Sequence, residues 1–198
     1  MSFKDTILRE ATHLFERNGI DNFTEKSLQQ KLDISEATFQ GFFRDKEDLV
    51  TQAYRQKLED DRHHHEKLIK AADNPIKELL SLIEYGSKQL EHISPAYLAD
   101  VVKRPAIMEA AAENMQDYSY PLIYSILNKG VVGGYFRSEM NMGIVTRVIL
   151  ENVYLLINTR VFPPESFNTR EVFRNIYLYY IRGLCVKDHI DQTDKYFT

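Results

Sequence analysis

The 198-residue chain is 43% hydrophobic and 27% charged, a composition that argues against intrinsic disorder and allows one large core or two smaller ones. A single cysteine excludes an intramolecular disulfide, and no apolar run approaches the roughly 20 residues that span a bilayer. The chain start also lacks a secretory signal pattern, so we expect a cytoplasmic protein with no membrane partner.

The charge balance is acidic, both overall and at the start of the chain. The net charge is -4, and residues 1–50 carry seven basic against ten acidic side chains. A nucleic-acid-binding domain usually has a basic surface. Any DNA-binding hypothesis therefore has to come from the local arrangement of residues.

Four helices are predicted in the first seventy residues. Apolar residues recur three and four positions apart in the first segment, and Gly19 ends it. The second helix ends near Asp33, and the third is very short. Suitable N-capping residues begin the second, third and fourth helices: Thr24, Ser35 and Asp45.

The stretch "EDDRHHHEK" at 59–67 has no apolar residue although helical character continues on both sides. A helix that is polar all round is typical of a solvated bridge between packed units. The three histidines follow Glu59, Asp60 and Asp61 by four residues, which predicts acid–imidazole pairs. A surface metal or pH-sensing role is the alternative, but successive helical side chains diverge and cannot converge on one ion. We therefore expect no metal site.

The rest of the chain is also predicted to be helical. Asn74 and Pro75 begin a helix, Pro95, Pro105 and Pro121 divide the middle into short segments, and Gly133 with Gly134 ends another helix. Two segments, 143–162 and 169–184, are apolar on several faces and predict a buried antiparallel helix pair. The tail at 187–198 is expected to fray. No alternating strand pattern is present, so the fold class is all-α.

The second and third predicted helices have the spacing of a helix-turn-helix, with Asp33 and Ile34 at the turn. Ser35 and Thr38 suit phosphate contacts, and Gln40 suits a base edge or a phosphate. Ala37 and Gly41 are small enough for close approach, while Phe39 and Phe43 are predicted to point inward. The same spacing also fits an αα-corner in any helical protein, so it does not decide between the two.

Residues 23–50, "FTEKSLQQKLDISEATFQGFFRDKEDLV", resemble the DNA-binding domain of TetR/AcrR-family transcriptional regulators. The matching positions in this stretch are Ile34, Ser35, Thr38, Phe39, Phe42, Phe43, Arg44, Lys46, Glu47 and Leu49. The family's "A-x-x-L-F-x-x-x-G" pattern is matched by Ala11, Leu14, Phe15 and Gly19. The strong resemblance covers about the first fifty residues, and the remainder matches in length, helical character and the final apolar helix pair.

The resemblance implies a DNA-binding helix-turn-helix domain at 1–48 and a larger helical domain for effector binding and dimerisation at 49–198. It implies phosphate contacts at Thr24, Ser35, Thr38 and Lys46. It places groove-facing residues at Glu36, Ala37, Gln40 and Gly41, and Phe42 completes the DNA-binding set. The sequence departs from the family where Gln40 replaces Tyr, Asp33 replaces Gly and Gln29 replaces Ala. These departures predict modest, salt-sensitive affinity or an unusual operator.

The middle of the chain is rich in tyrosine, and most of these rings are expected in the core. A mainly apolar ligand cavity with a few hydroxyls is the functional alternative. In proteins like TetR such a cavity lies in the larger domain, and the final helix pair forms the dimer interface. The candidate cavity residues are Tyr97, Tyr118, Tyr124 and Tyr154. The candidate interface residues are Val148, Leu155, Ile176 and Tyr180.

We find no spacing typical of a catalytic acid–base or nucleophile pair, and no glycine-rich phosphate loop, so we expect neither an enzyme nor a cofactor. The sequence thus predicts a homodimeric regulator, more often a repressor in this family, that leaves operator DNA when a small molecule binds. The alternative is a helical ligand-binding or protein-interaction module with weak or vestigial DNA binding.

Overall fold

The computed structural model describes residues 2–156, 158, 160–163 and 165–196. For Tyr154, Leu156, Thr169, Arg170, Lys195 and Tyr196 only the backbone is described. The chain divides into two compact units. Unit 1 comprises residues 1–64 and 92–114, and unit 2 comprises residues 65–91 and 115–198.

The described part of the chain is helical, as the sequence predicts. The helices of unit 1 are α1 (Phe3–Asn18), α2 (Glu25–Leu32), α3 (Glu36–Gln40), α6 (Pro95–Val101) and α7 (Pro105–Asn114). Helix α4 (Lys46–Ala71) contributes residues to both units. The helices of unit 2 are α5 (Pro75–Glu91), α8 (Tyr120–Val132), α9 (Met142–Leu156), α10 (Thr169–Leu184) and α11 (Ile190–Tyr196).

The predicted caps begin the predicted helices. The side-chain oxygens of Thr24 and Ser35 accept from the amides of Ser27 and Thr38 at 3.3 and 3.1 Å. Asp45 Oδ1 accepts from the backbone amide three residues later at 2.8 Å, which caps α4. Each cap satisfies an amide that the first helical turn leaves without a backbone partner. The helix starts are therefore set by local hydrogen bonds, which sequence reasoning can find.

Unit 1 is built around one apolar cluster. Its fully buried side chains include Ile7 from α1, Leu28 from α2, Phe39 from α3, and Leu49 from α4. Tyr97 of α6 joins the same cluster and is 6% exposed. The first three helices are therefore fixed to one another by buried apolar contacts.

The polar segment 59–67 is helical, as predicted, and the division between the two units falls within it, after His64. Five of its nine side chains are exposed, but others in its unit 1 part have partners within that unit. Asp60 accepts a hydrogen bond from Arg9 at 2.7 Å. Arg62 donates from Nε and Nη2 to Asn114 Oδ1 at 3.0 and 2.8 Å. Asp60 and Arg62 are half-buried. Of the three predicted acid–imidazole pairs, Glu59 with His63 is present at 3.5 Å. Asp60 forms an ion pair with Arg9, whereas the sequence predicts one with His64.

Between α7 and α8 the chain forms a π-helix at Met115–Ser119 instead of the break that Pro121 predicts. Proline has no N–H, and its ring crowds the carbonyl four residues earlier, here that of Asp117. Widening the helix by one residue per turn accommodates that ring without ending the helix. Such π-bulges are frequent at functional sites.

Unit 2 has its own core between α5, α8, α9 and α10, which includes Leu79, Leu127, Ile149 and Tyr177. The Tyr177 hydroxyl, on α10, donates to the carbonyl of Ile149 on α9 at 3.1 Å, so the predicted apolar helix pair is in contact. A short antiparallel bridge joins Phe136 to Cys185.

The prediction of a frayed tail is wrong for residues 187–196. A 3₁₀ turn at Lys187–His189 leads into α11, and the Thr193 side chain is fully buried. The His189 ring stacks on Tyr135 with centroids 4.5 Å apart. Partners distant in sequence order this segment, so its local polarity was misleading. No helix among the described residues has the length and apolar character needed to cross a membrane.

Candidate nucleic-acid interface and ligand cavity

The turn between α2 and α3 has the backbone that a helix-turn-helix requires. Asp33 adopts the left-handed conformation, with φ 51° and ψ 48°, and its amide donates to the carbonyl of Gln29. Asp tolerates this region better than most residues, although glycine does so with less strain. A positive φ therefore occurs at Asp33, the turn position where the sequence has Asp in place of Gly.

Helix α3 separates a buried side from an exposed side, as predicted. Phe39 and Phe43 are each 1% exposed, and their ring centroids lie 5.3 Å apart. The exposed positions on and beside the helix are Ser35, Glu36, Ala37, Thr38, Gln40 and Gly41. Two aromatic anchors thus hold a five-residue helix whose small and polar side chains face outward.

The polar side chains of α3 are arranged by hydrogen bonds among themselves. The hydroxyls of Ser35 and Thr38 lie 2.9 Å apart, within one hydrogen bond. Gln40 Nε2 donates to Glu36 Oε1 at 3.1 Å. Hydroxyls and amides of this kind can contact phosphates and base edges, and a carboxylate can accept from cytosine N4. The surface is chemically suited to DNA, but Glu36 brings negative charge to it.

Three basic side chains of unit 1 are paired with carboxylates. Arg9 pairs with Asp60, Lys31 with Glu10, and Arg44 with Asp48 at 3.6 Å. The hydrogen bond from Arg9 holds the pKa of the Asp60 carboxyl below its usual range. Part of the positive charge is thus neutralised within the protein.

Lys46 lies beneath the loop that precedes α2. Its Nζ donates to the carbonyl of Phe23 at 2.9 Å and to that of Asp21 at 3.4 Å. Thr24 at the start of α2 is exposed, whereas Phe42 is half-buried with its ring 6.1 Å from that of Phe3. Of the residues that the resemblance assigns to DNA, Lys46 and Phe42 are therefore also used inside unit 1.

A network of ion pairs fixes the same loop from the other side. Arg104 Nη2 donates to Asp21 Oδ1 at 2.7 Å, and Arg104 Nε donates to Glu47 Oε2 at 3.1 Å. Lys103 bridges Asp21 and the buried Asp100 at 3.2 and 2.9 Å. Hydrogen bonds from Arg104 and then Lys103 hold the pKa of the Asp21 carboxyl well below its usual range. The loop leading into α2 is thereby clamped by α4 and by the α6–α7 corner.

Unit 2 contains a cavity of about 160 Å³. It is lined mainly by aliphatic side chains from α5, α8 and α9, among them Leu82, Ile123 and Ile149. His65, Tyr118 and Ser119 provide polar groups, the last two from the π-helix. His65 Nδ1 lies 3.3 Å from the Tyr118 hydroxyl, and the two rings are stacked with 9° between their planes. The cavity is partly open to solvent. A concave, mainly apolar surface with a few polar groups is the usual form of a small-molecule site.

No family model matches the chain. Over 92% of its length it is 22% identical to the HTH-type transcriptional repressor KstR2 of Mycolicibacterium smegmatis, of which it covers 90%. A TetR-family regulator from Agrobacterium tumefaciens matches with a TM-score of 0.74 and 16% identity, over 92% of this chain and 97% of that one. The chain has the TetR-family fold.

The TetR-fold likeness extends to a transcriptional regulator from Saccharomonospora viridis, solved in complex with choline. That structure matches with a TM-score of 0.78 and 15% identity, over 93% of this chain and 98% of that one. The predicted fold class, an N-terminal helix-turn-helix followed by a larger helical part, is confirmed. These relatives are named as transcriptional regulators.

The four tyrosines predicted for a cavity are dispersed in this TetR fold. Tyr118 lines the cavity of unit 2. Tyr97 lies in the core of unit 1, where burial raises the pKa of its hydroxyl, and it does not line this cavity. Tyr124 is 38% exposed and stacks on Tyr120. The side chain of Tyr154 lies outside the described residues.

The four predicted interface residues lie on the α9–α10 pair of the TetR fold and are half-buried: Val148, Leu155, Ile176 and Tyr180. Near them, Tyr179 of α10 is 64% exposed. Ile144 of α9 is 60% exposed. Large apolar side chains are thus accessible on this helix pair.

Sequence reasoning missed His65 and the Asp21–Arg104 pair. His65 was grouped with its exposed neighbours, although it precedes Leu68 and Ile69 by three and four residues and so shares their buried stripe. That spacing was the available signal. The 83 residues between Asp21 and Arg104 left no comparable signal for the ion pair. Among the described residues, no group of acidic, histidine and cysteine side chains could hold a metal ion.

Proposed function

We propose that this protein is a DNA-binding transcriptional regulator, and that residues 1–48 contact operator DNA while residues 49–198 bind an effector and form a homodimer. The observation that carries the proposal is α3. Its buried face is fixed by Phe39 and Phe43, and its exposed face carries only small and polar side chains next to a left-handed turn at Asp33. This is the arrangement that a recognition helix needs to enter the major groove.

The exposed residues divide by chemistry into phosphate and base contacts. Ser35 and Thr38 offer hydroxyls to phosphates. Gln40 suits an adenine edge and Glu36 suits the amino group of cytosine. An ammonium has three donors, and two of those on Lys46 are directed at backbone carbonyls, so a phosphate contact would use the third.

Dimerisation would use the α9–α10 pair. A two-fold interface presents the same patch from both subunits, and exposed Ile144 and Tyr179 provide apolar surface there. Two recognition helices about 34 to 36 Å apart would then meet successive faces of the major groove. Val148, Leu155, Ile176 and Tyr180 remain the proposed contact residues.

Repression that is relieved by a ligand is the proposed mode of action. The relative from Mycolicibacterium smegmatis is named a repressor, and the neighbour from Saccharomonospora viridis was solved with choline. A ligand in the cavity of unit 2 can weaken operator binding only if it prefers the conformation that does not bind DNA. The two sites are then coupled reciprocally, so operator DNA also weakens ligand binding.

Binding to duplex DNA from the protein's own upstream region tests this function. We expect tighter binding than to a random duplex of equal length at low salt. Thr38→Ala should weaken binding to all sequences, whereas Gln40→Ala should change the preference at particular base pairs. Ser138→Ala removes an exposed hydroxyl from unit 2 and serves as the control. Equal affinity for both duplexes would contradict the proposal.

A second candidate is a helical ligand-binding or interaction module with weak DNA binding. It is favoured by Glu36 on the exposed face of α3 and by the carboxylate partners of Arg9, Lys31 and Arg44. A salt titration separates the two functions, because phosphate contacts make log affinity fall linearly with log salt concentration. A module that does not use DNA would show no such slope.

A further inference from the structure

The described lining of the unit 2 cavity is mainly aliphatic. Among the described residues around it there is no lysine, arginine, aspartate or glutamate, and most of the surface is contributed by leucine, isoleucine and valine. A carboxylate, phosphate or ammonium group would lose its hydration there without gaining an opposite charge. That cost is large in apolar surroundings. The lining therefore selects an uncharged ligand.

Because the cavity is partly open to solvent, its volume indicates the size of the ligand part that fits inside. The cavity measures about 160 Å³, and an apolar cavity of about 150 Å³ engineered in another protein is large enough to bind benzene. Drug-sized ligands usually occupy pockets of roughly 300 Å³ or more. One six-membered ring with a small substituent matches the space that the side chains leave.

The polar groups of the described lining belong to His65, Tyr118 and Ser119, apart from the Tyr177 hydroxyl, which donates to the carbonyl of Ile149. A phenolic oxygen carries one proton and two acceptor positions. A ligand hydroxyl or carbonyl can therefore join the existing hydrogen bond between His65 and Tyr118 instead of replacing it. The ligand then needs one hydrogen-bonding group, directed at this pair, and an otherwise apolar body.

We infer that the effector is an uncharged, single-ring molecule with one hydroxyl or carbonyl group held by the His65–Tyr118 pair. This inference rests on the proposed function, because it names the ligand class of the proposed effector site. Phenol is the simplest probe that carries both features. Benzene lacks the polar group, and benzoate adds a negative charge.

Isothermal titration calorimetry of the full chain tests the inference without DNA. We expect phenol to bind about fivefold more tightly than benzene, the factor that corresponds to one hydrogen bond of about 1 kcal/mol. Benzoate should give no binding. Tyr118→Phe should remove the preference for phenol and leave the benzene affinity within about twofold, as expected for loss of that single hydrogen bond. Tyr124→Phe is the control, since Tyr124 is on the surface.

A cavity-filling variant tests the location. A Cβ added to Gly86 on α5 would meet no atom within 4 Å, and Gly86 lines the cavity, so Gly86→Leu should place its side chain in the empty space. This variant should lose both phenol and benzene binding. Its circular dichroism melt reports whether it is folded, and Tyr118→Phe tests the inference independently of that result.

Three results would overturn the inference: benzoate binding as tightly as phenol, an unchanged phenol preference in Tyr118→Phe, or undiminished binding in folded Gly86→Leu. Release of operator DNA is measured separately. If phenol binds as described but leaves DNA binding unchanged, the proposed ligand response fails and the ligand class stands. If a charged effector releases the DNA and phenol does not bind, the ligand class fails and the proposed function stands.

Discussion

The substitution Phe39→Ala should detach the proposed recognition helix from unit 1. Helix α3 has five residues, too few to be stable alone, so its position depends on packing. Phe39 is 1% exposed and contacts Phe43 with ring centroids 5.3 Å apart. Replacing a buried phenylalanine by alanine costs about 3 to 5 kcal/mol. That is a large part of the roughly 5 to 15 kcal/mol that stabilises a typical domain.

Urea denaturation and duplex binding measure the two consequences. We expect Phe39→Ala to lower the free energy of unfolding by about 3 kcal/mol or more and to abolish operator binding. Phe39→Leu should cost about 1.5 kcal/mol or less and retain binding. Phe167→Ala, at a ring that is 46% exposed, should cost about 1 kcal/mol or less. If Phe39→Ala had the stability and DNA affinity of the unchanged protein, the role of Phe39 as an anchor would be refuted.

Four further predictions concern stability. Gly86→Ala should stabilise the protein by about 0.5 to 1 kcal/mol in thermal melts, because Gly86 is helical and its Cβ has space. Gly130→Ala should destabilise the protein, since the added Cβ would lie 2.0 Å from a ring carbon of Phe136. Melting temperatures equal to that of the unchanged protein would contradict both glycine predictions. Asp33 has φ 51°, so in urea titrations the Asp33→Ala variant should be about 1 kcal/mol less stable than the Asp33→Gly variant. The reverse order would rule out a strained turn. The pKa of Asp21 is lowered by Arg104, so this pair's stabilisation is present above pH of about 4 and is lost as pH falls further. Asp21→Asn should flatten the acid limb of a stability–pH curve, and an unchanged limb would exclude the pair as a contributor.

Much of unit 1 could be predicted because its signals are local. Thr24, Ser35 and Asp45 cap helices through bonds that span three residues, and Gly19 ends a helix where a positive φ of 86° is needed. Capping and periodicity act over one or two turns, which is the range that a single sequence displays. The inward orientation of Phe39 follows from the same periodicity.

The failures have long-range causes. Arg62 was predicted to face solvent, but Asn114, 52 residues away, accepts hydrogen bonds from its Nε and Nη2. The buried Thr193 lies in a tail that was predicted to fray. Tyr97 was assigned to a ligand cavity from its position near a proline, yet it packs in the core of unit 1. Local pattern cannot show which distant segment will cover a side chain, so tertiary contacts overrode these predictions.

The cavity could be predicted only as a type of site. Tyrosine-rich helices indicated an apolar pocket with hydroxyls, and Tyr118 does line one. Its polar group also depends on His65, whose ring approaches Tyr118 from a helix 53 residues earlier in sequence. The π-helix that carries Tyr118 and Ser119 lies just before Pro121. From the sequence alone, that proline predicts a helix boundary instead.

The central claim is that the exposed face of α3 binds operator DNA. Fluorescence anisotropy with a labelled duplex from the protein's own upstream region, measured across a salt series, tests it most directly. We predict log-linear weakening with salt, tighter binding than to a random duplex, and a slope reduced by about one in Lys46→Ala. A signal that does not depend on salt would contradict the claim. So would equal affinity of the unchanged protein for both duplexes, or an operator affinity that Thr38→Ala leaves unchanged.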